Sequence, residues 1–408
     1  MHPRDLASLA GEETIFGGFA AEKLERLQAE LEPLSGRYDV VVANPPYMGS
    51  KNMNKWLGDW VKTHHKDVKG DLFSCFMVRN VGMGAEHAQL GFMTPYVWMF
   101  IGTYEKLRKF VIQQNTITSL IQLEYSGFSG ATVPICTFTL QKGYCPGYRG
   151  GYVRLSDFVG ADQQAPRALE ALANPDCGWF YRADAQRYST LPGSPITYWV
   201  VPEYQRLCLE FRPLEANVHF KEGITTGNND AYLRYWHEVE WSHFSINAIQ
   251  HISRVWIPCN KGGSFRRWYG NNDYVIDWTN DGSRLASYSG SSFRNSAYQR
   301  LEGVTYSNLS SGCFAARYSP HGFAFESKGT TCFSEDPYST LAYFNSSLFG
   351  EYTRLVCPTL DFKFGVLQKL PDLRISRCEG LAKECVQLSR YDWDSFESSW
   401  DFKCHPLV

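Results

Sequence analysis

No two of the twelve cysteines form C-x-x-C, and no Cys/His group has zinc-finger spacing, which excludes the common structural zinc modules. The N-terminus lacks a charged region leading into an apolar one, so the scattered cysteines read as reduced thiols in a soluble, cytoplasmic protein. Long hydrophobic runs are missing too. The longest, Gly91 to Ile101, is broken by Pro95 and is too short to cross a bilayer. There is no excess of positive charge: 40 basic residues face 42 acidic ones, so nucleic-acid binding would have to use a local patch. Neither a G-x-x-x-x-G-K-[ST] phosphate loop nor a P-D…E-x-K nuclease pattern occurs, so neither ATP hydrolysis nor DNA cleavage is supported. His64 and His65 have no partner at ligand spacing and read as a solvated loop, with no metal expected. Aromatics, by contrast, are abundant: 12 Trp, 24 Tyr and 26 Phe in a chain of 408 residues, long enough for two to three domains. They serve either large cores or surfaces that stack on flat ligands.

Residues 14–34 carry a helical period ended by Pro33 and Ser35-Gly36. Tyr38 to Ala43 is a continuous β-branched run of the kind found in a strand buried on both faces. A helix over 71–88, a short strand over 90–95, a helix over 104–113 and a strand over 117–123 follow, then a hairpin-like pair, 128–133 and 135–141. This order describes half of a doubly wound sheet. Weak periodicity with frequent Pro and Gly marks a connector over 143–215. Residues 216–408 turn to short strands rich in Gly, Asn, Ser, Tyr and Trp, with helices over 340–348 and 378–390, a β-rich second domain.

The tetrapeptide Asn44-Pro45-Pro46-Tyr47 directly follows the first strand, and two prolines cannot continue a central strand. It therefore forms a loop at the strand's C-terminal edge, where open α/β sheets bind ligands. The loop suits methyl transfer to an exocyclic or amide nitrogen, whose lone pair is delocalised. The Asn44 side-chain oxygen and the Pro45 carbonyl can each accept one N–H, drawing the nitrogen towards tetrahedral geometry. With the methyl sulfonium of S-adenosylmethionine as electrophile no strong base is needed, and the protein contributes alignment and oriented dipoles. Tyr47 offers a π-face for a planar base.

In this loop the sequence resembles the amino-methyltransferases that modify adenine N6 in DNA. Gly70-Asp71-Leu72-Phe73 resembles that family's D-L-[YF] segment, which implies cofactor contacts at Asp71 and Phe73. Leu90 to Pro95 resembles the following strand and turn. Phe128 to Val133 resembles the segment supplying a second contact to the extruded base, implying that Phe128 stacks with Tyr47 on it. The family's glycine-rich cofactor loop and acid-ended second strand belong to three strand–helix units that need on the order of 60–80 residues, while 43 precede Asn44 and the strand takes the last six. The resemblance thus implies a methyltransferase lacking the front half of its cofactor domain: a truncated reading frame, a split gene product or a partial sequence.

The second half narrows the match. Gly223 to Asp230, Asn260-Lys261-Gly262-Gly263-Ser264-Phe265-Arg266-Arg267-Trp268-Tyr269-Gly270, the run from Val304 to Phe333 and Phe344-Asn345-Ser346 resemble the target-recognition region of the PglX adenine-specific methyltransferases of BREX phage-defence systems. The expected fold is a partial Rossmann-like α/β methyltransferase sheet followed by a β-rich α+β target-recognition domain. The domains run as a helical lead-in over 1–36, the methyltransferase half over 37–142, the connector over 143–215 and the recognition domain over 216–408. Arg254, Lys261, Arg266 and Arg267, with Gly262, Gly263, Trp268 and Tyr269, form the candidate DNA contact, where basic groups meet phosphates or guanine edges and aromatics fill the stack left by a flipped base. The implied partners are double-stranded DNA and either other defence-system proteins or a chain supplying the missing cofactor half. The other two readings are a non-catalytic DNA-binding fragment and, less favoured by the large second domain, a protein-glutamine methyltransferase.

Overall fold

The computed structural model describes residues 26–27, 29–125, 127, 133–245, 255–310, 312–357 and 361–407. Most of the helix expected over 14–34, together with Phe128 and Arg254, lies outside these residues; residues 29–35 are helical. The chain divides into two compact units, the first closing at Ser189 with an added segment Ser194–Trp199, the second comprising Thr190–Gly193 and the residues from Val200 onward.

The first unit is built on a six-stranded sheet, in the order β1 (Tyr38–Ala43), β2 (Gly84–Pro95), β4 (Ile135–Lys142), β3 (Asn115–Gln122), β5 (Arg149–Arg154) and β6 (Phe180–Asp184). β1 and β2 run parallel, with Val41 opposite Leu90 and Ala43 opposite Phe92. Their connection carries the helices α1 (Lys55–His64) and α2 (Leu72–Met83), while α3 (Glu105–Gln114) links β2 to β3. Apolar residues of α2 and α3, among them Phe73, Met77, Leu107 and Val111, pack with Phe92, Trp98 and Phe138 into one core. Full burial of each large side chain contributes roughly 1.5–3 kcal/mol. Arg108 is buried there and donates to the Trp98 and Ile101 carbonyls at 2.7 Å each, pinning the turn that follows β2.

Three expectations need correction. β1 is not buried on both faces: Val42 is 77% exposed, because among the described residues β1 has one neighbour, β2, and only Val41 and Ala43 turn into the core. Helix α2 ends at Met83, where the Gly84 N–H closes on the Asn80 and Val81 carbonyls, and β2 starts at once. Finally, 135–141 pairs with β2 and β3, and the stretch 143–215 holds β5, α4 (Ala161–Ala173) and β6, two strands that extend the sheet.

The second unit has two four-stranded sheets of short strands. One orders β13 (Ala324–Phe325), β9 (Trp256–Asn260), β10 (Tyr274–Asp277) and β8 (Leu233–Tyr235). The other orders β12 (Ala316–Ser319), β11 (Gly303–Tyr306), β14 (Thr331–Phe333) and β7 (His219–Lys221). Strands this short bury their apolar groups only with help, here from α5 (Pro337–Phe344), α6 (Ser347–Val356) and α7 (Glu379–Asp394). Among the described residues no helix is long and apolar enough to cross a membrane.

Candidate active site

The Pro45-Pro46 pair supplies no N–H, so pairing with β2 stops at Ala43 and the chain turns out at the C-terminal ends of the two parallel strands. Asn44 and Tyr47 are exposed there and Pro45 is buried. The Tyr47 hydroxyl lies 3.1 Å from Asn44 Oδ1 and 3.2 Å from the Met93 carbonyl of β2. Having one proton, it donates to one of them at a time. Asn44 Oδ1 thus keeps acceptor capacity, and the Pro45 carbonyl accepts no hydrogen bond among the described residues. Burial, and then the Cys136 thiol, push the Tyr47 phenol above its ordinary pKa, so it remains a donor at neutral pH.

Behind Tyr47 the chain is strapped to the start of α2. Asp71 Oδ1 accepts the Met48 N–H at 2.9 Å and caps α2 by accepting from Phe73 N–H at 3.3 Å. The Leu72 N–H meets the Met48 carbonyl at 3.0 Å and the Ser50 N–H meets Gly70 at 3.1 Å, around a Gly49–Asp71 bridge. Phe73 is 1% exposed, its ring edge-on to Tyr47 at 6.4 Å and 5.5 Å from Tyr104. Phe73, expected at the cofactor, lies in the core beneath the loop, and Asp71, expected there too, accepts backbone amides; both pack against the tetrapeptide. Met93 and Tyr104 were not foreseen. A backbone carbonyl has no side-chain signature, and a tyrosine in a helix approach reads as core.

In the second unit the segment after β9 is tied into the fold by its backbone. Gly262 and Gly263 adopt φ of 97° and 131°, which a side chain disfavours, and the Gly263 carbonyl accepts from Ser307 Oγ at 3.1 Å. The Trp268 N–H donates to Ala316 at 2.9 Å and its carbonyl accepts from Tyr318 N–H at 2.7 Å, so the segment runs alongside β12. Beneath it Arg317 is buried, which lowers its pKa to about 10, with the nearby Arg266 acting in the same direction.

The expected contact residues therefore separate. Tyr269 is 4% exposed, with the Arg390 guanidinium 5.5 Å over its ring, and is core, not a stacking plate. Arg266 pairs with Asp392 at 3.0 Å and lies over Trp393. Lys261 lies 4.2 Å over the Tyr274 ring, and Trp268 is half-buried. Arg267 and its neighbour Phe265 are exposed, the guanidinium 5.6 Å over the Phe265 ring. The aromatic excess misled because Tyr and Trp build cores as readily as stacking surfaces.

Residues 14–128 match the family model described as Eco57I restriction-modification methylase. The chain is 35% identical over 395 residues to the adenine-specific methyltransferase PglX of Lacticaseibacillus casei (strain Zhang), covering 92% of this chain and 33% of that protein. It is 33% identical over 383 residues to the adenine-specific methyltransferase BrxX of Escherichia coli O9:H4 (strain HS), covering 92% and 31%. Among solved structures it resembles the Type IIL restriction-modification enzyme MmeI in complex with DNA (TM-score 0.55, 9% identity, 89% of this chain and 50% of that one). It also resembles a nuclease-deletion mutant of the Type ISP restriction-modification enzyme LlaGI in complex with a DNA substrate mimic (TM-score 0.53, 13% identity, 94% and 44%).

By class, then, the chain is similar to methylases of restriction-modification systems, and its α/β sheet followed by a β-rich unit is a fold it shares with MmeI and LlaGI. Within that class its relatives along nearly the whole chain are the PglX and BrxX adenine-specific methyltransferases, and it spans about one third of their length.

Proposed function

We propose that this chain carries the amine-presenting site and the DNA-recognition surface of an enzyme that methylates adenine N6 in double-stranded DNA. The observation that supports this most is Asn44-Pro45-Pro46-Tyr47 clamped at the C-terminal ends of two adjacent parallel strands, through Tyr47 to Met93 and through Met48 to Asp71. An adenine swung out of the duplex loses stacking and pairing at a cost of a few kcal/mol, which contacts here must offset. Its amine donates one N–H to Asn44 Oδ1 and one to the Pro45 carbonyl, which localises the nitrogen lone pair. The Tyr47 hydroxyl holds the asparagine, and its ring gives the base an edge or a face. In the second unit Arg267, Phe265 and Lys261 are the groups in a position to meet DNA, and Arg266 and Tyr269 support them from beneath. The resemblance to PglX methyltransferases of BREX systems carries the expectation that the mark distinguishes host DNA in phage defence.

S-adenosylmethionine, when bound, supplies the electrophilic methyl sulfonium. The described residues fit the amine side of that reaction only. They include no glycine-rich strand-to-helix turn, Phe73 is buried, and the Asp71 oxygen nearest the loop already holds amides. This favours a second reading, a DNA-recognition segment whose cofactor half lies outside the described residues. Calorimetric titration with S-adenosylmethionine, followed by incubation with duplex DNA and mass spectrometry of the nucleosides, separates the two. Micromolar binding and N6-methyladenine lost in Asn44→Ala support the enzyme. DNA binding by a folded chain that takes up no cofactor supports the recognition segment.

A further inference from the structure

Residues 51–69, between the strap behind Tyr47 and α2, make no hydrogen bond to the Asn44–Tyr47 loop among the described residues, yet they form a basic stretch beside it. Residues 51–69 hold Lys51, Lys55, Lys62, Lys66 and Lys69 against only Asp59 and Asp67, in a chain whose net charge is −2. Asn54 caps α1, its Oδ1 accepting the Leu57 N–H at 2.9 Å, and the chain then turns back to Gly70. Between them lies a groove of about 600 Å³ lined by Lys55, Lys62, Lys66 and Lys69, and by Lys106 of α3.

Lys62 is paired with Asp59 at 3.4 Å and Lys106 with Asp67. Lys55, Lys66 and Lys69 are exposed and have no carboxylate at ion-pair distance among the described residues. Ser50 and Gly70 line this groove and also form the strap that closes behind Tyr47, so the groove and the loop share this strap. On the adjoining face of α1, Trp56 is 74% exposed and Trp60 stacks on His64 with ring centroids 4.7 Å apart.

The groove is lined by five lysines against the two carboxylates Asp59 and Asp67, and this excess of positive charge is relieved when an anion enters. A ten-residue helix is about 15 Å long, and a DNA strand carries a phosphate about every 3.4 Å along its axis. The groove therefore matches several successive phosphates of one strand, a repeating anion and not a single small one. We propose that this lysine groove grips the DNA backbone beside the adenine presented at Asn44. The inference rests on the DNA-methyltransferase reading and adds to it a phosphate-positioning surface in the first unit, separate from the recognition segment of the second.

The test is duplex DNA binding by fluorescence anisotropy as a function of salt, on the full chain. It compares the parent with Lys55→Gln/Lys66→Gln/Lys69→Gln and with a variant of equal charge change among exposed lysines elsewhere, Lys369→Gln/Lys383→Gln/Lys403→Gln. Circular dichroism checks that all three fold. Each phosphate contact contributes about 0.9 to the slope of log affinity against log salt. The groove variant is expected to bind about tenfold or more weaker and to lose about 2 to 3 from that slope, with the second variant close to the parent. If the parent binds and both variants lose the same amount, the groove proposal is overturned and the DNA reading stands. If the parent shows no salt-dependent binding, the DNA reading falls and the groove falls with it.

Discussion

The two units treat their polar motifs in opposite ways. In the first, the tetrapeptide at the strand end is forced outward: its prolines cannot pair, its Asn44 is exposed, and the groups beneath it, Asp71 and Phe73, serve to hold it there. In the second, a longer and richer motif is mostly absorbed by its own fold. Tyr269 is core, Arg266 is held by Asp392 and Trp393, and Arg317 is buried under the segment. A motif defined by backbone geometry keeps its chemistry at the surface, whereas one defined by aromatic and basic side chains competes with the core for the same residues.

The sharpest break in this comparison is Asn44→Ala. Removing one of two oriented acceptors from a preorganised site is expected to lower the methylation rate by about 10²–10³-fold, with folding unchanged. A rate within a few fold of the parent would take Asn44 out of the site.

Of comparable size is Tyr269→Ala. Emptying a buried aromatic site costs about 3–5 kcal/mol, to be read as a lower urea midpoint. Should the variant unfold like the parent while losing DNA affinity, Tyr269 would be a contact and the division drawn within this motif would fail.

Arg267→Ala reverses that pattern. Stability is expected to stay within about 0.5 kcal/mol, while affinity for duplex DNA falls and the salt slope drops by about one. An unchanged salt slope would leave Arg267 with no phosphate to meet.

The smallest effects concern the Tyr47 hydroxyl. Tyr47→Phe keeps the ring and loses one hydrogen bond, worth about 0.5–1.5 kcal/mol, so a slowing of roughly 2- to 12-fold is expected. Because burial raises the Tyr47 pKa, its proton is held past pH 10 and would be lost only as pH rises further. Between pH 7.5 and 9.5 the rate profiles of parent and Tyr47→Phe should have the same shape. An alkaline limb present only in the parent would contradict this.

Much of the first unit was legible from its residues. Strand, loop, helix and strand follow from a β-branched run, a proline pair, an apolar stretch behind an Asp cap and a second run ending at Thr94-Pro95. β5 and β6 were not legible, because Gly150, Gly151 and the flanking polar residues lack a strand pattern; β5 becomes a strand by pairing with β3, and β6 by pairing with β5. Nor was the exposure of Val40 and Val42. A run of valines states a strand, while its burial depends on what lies against each face.

By itself, then, the sequence determined that the Asn44–Tyr47 loop leaves the sheet at a strand end with its polar groups unpaired by the ladder, since missing N–H groups and strand propensity are local properties of the chain. The tertiary structure alone decided that Tyr47 reaches Met93, that Asp71 ties Met48 to a helix start, that Tyr269 is core while Arg267 is exposed, and that lysines of α1, the turn after it and α3 share one groove. Each of these depends on residues far apart in the chain meeting in space, and burial, pairing and charge clustering are properties of that meeting.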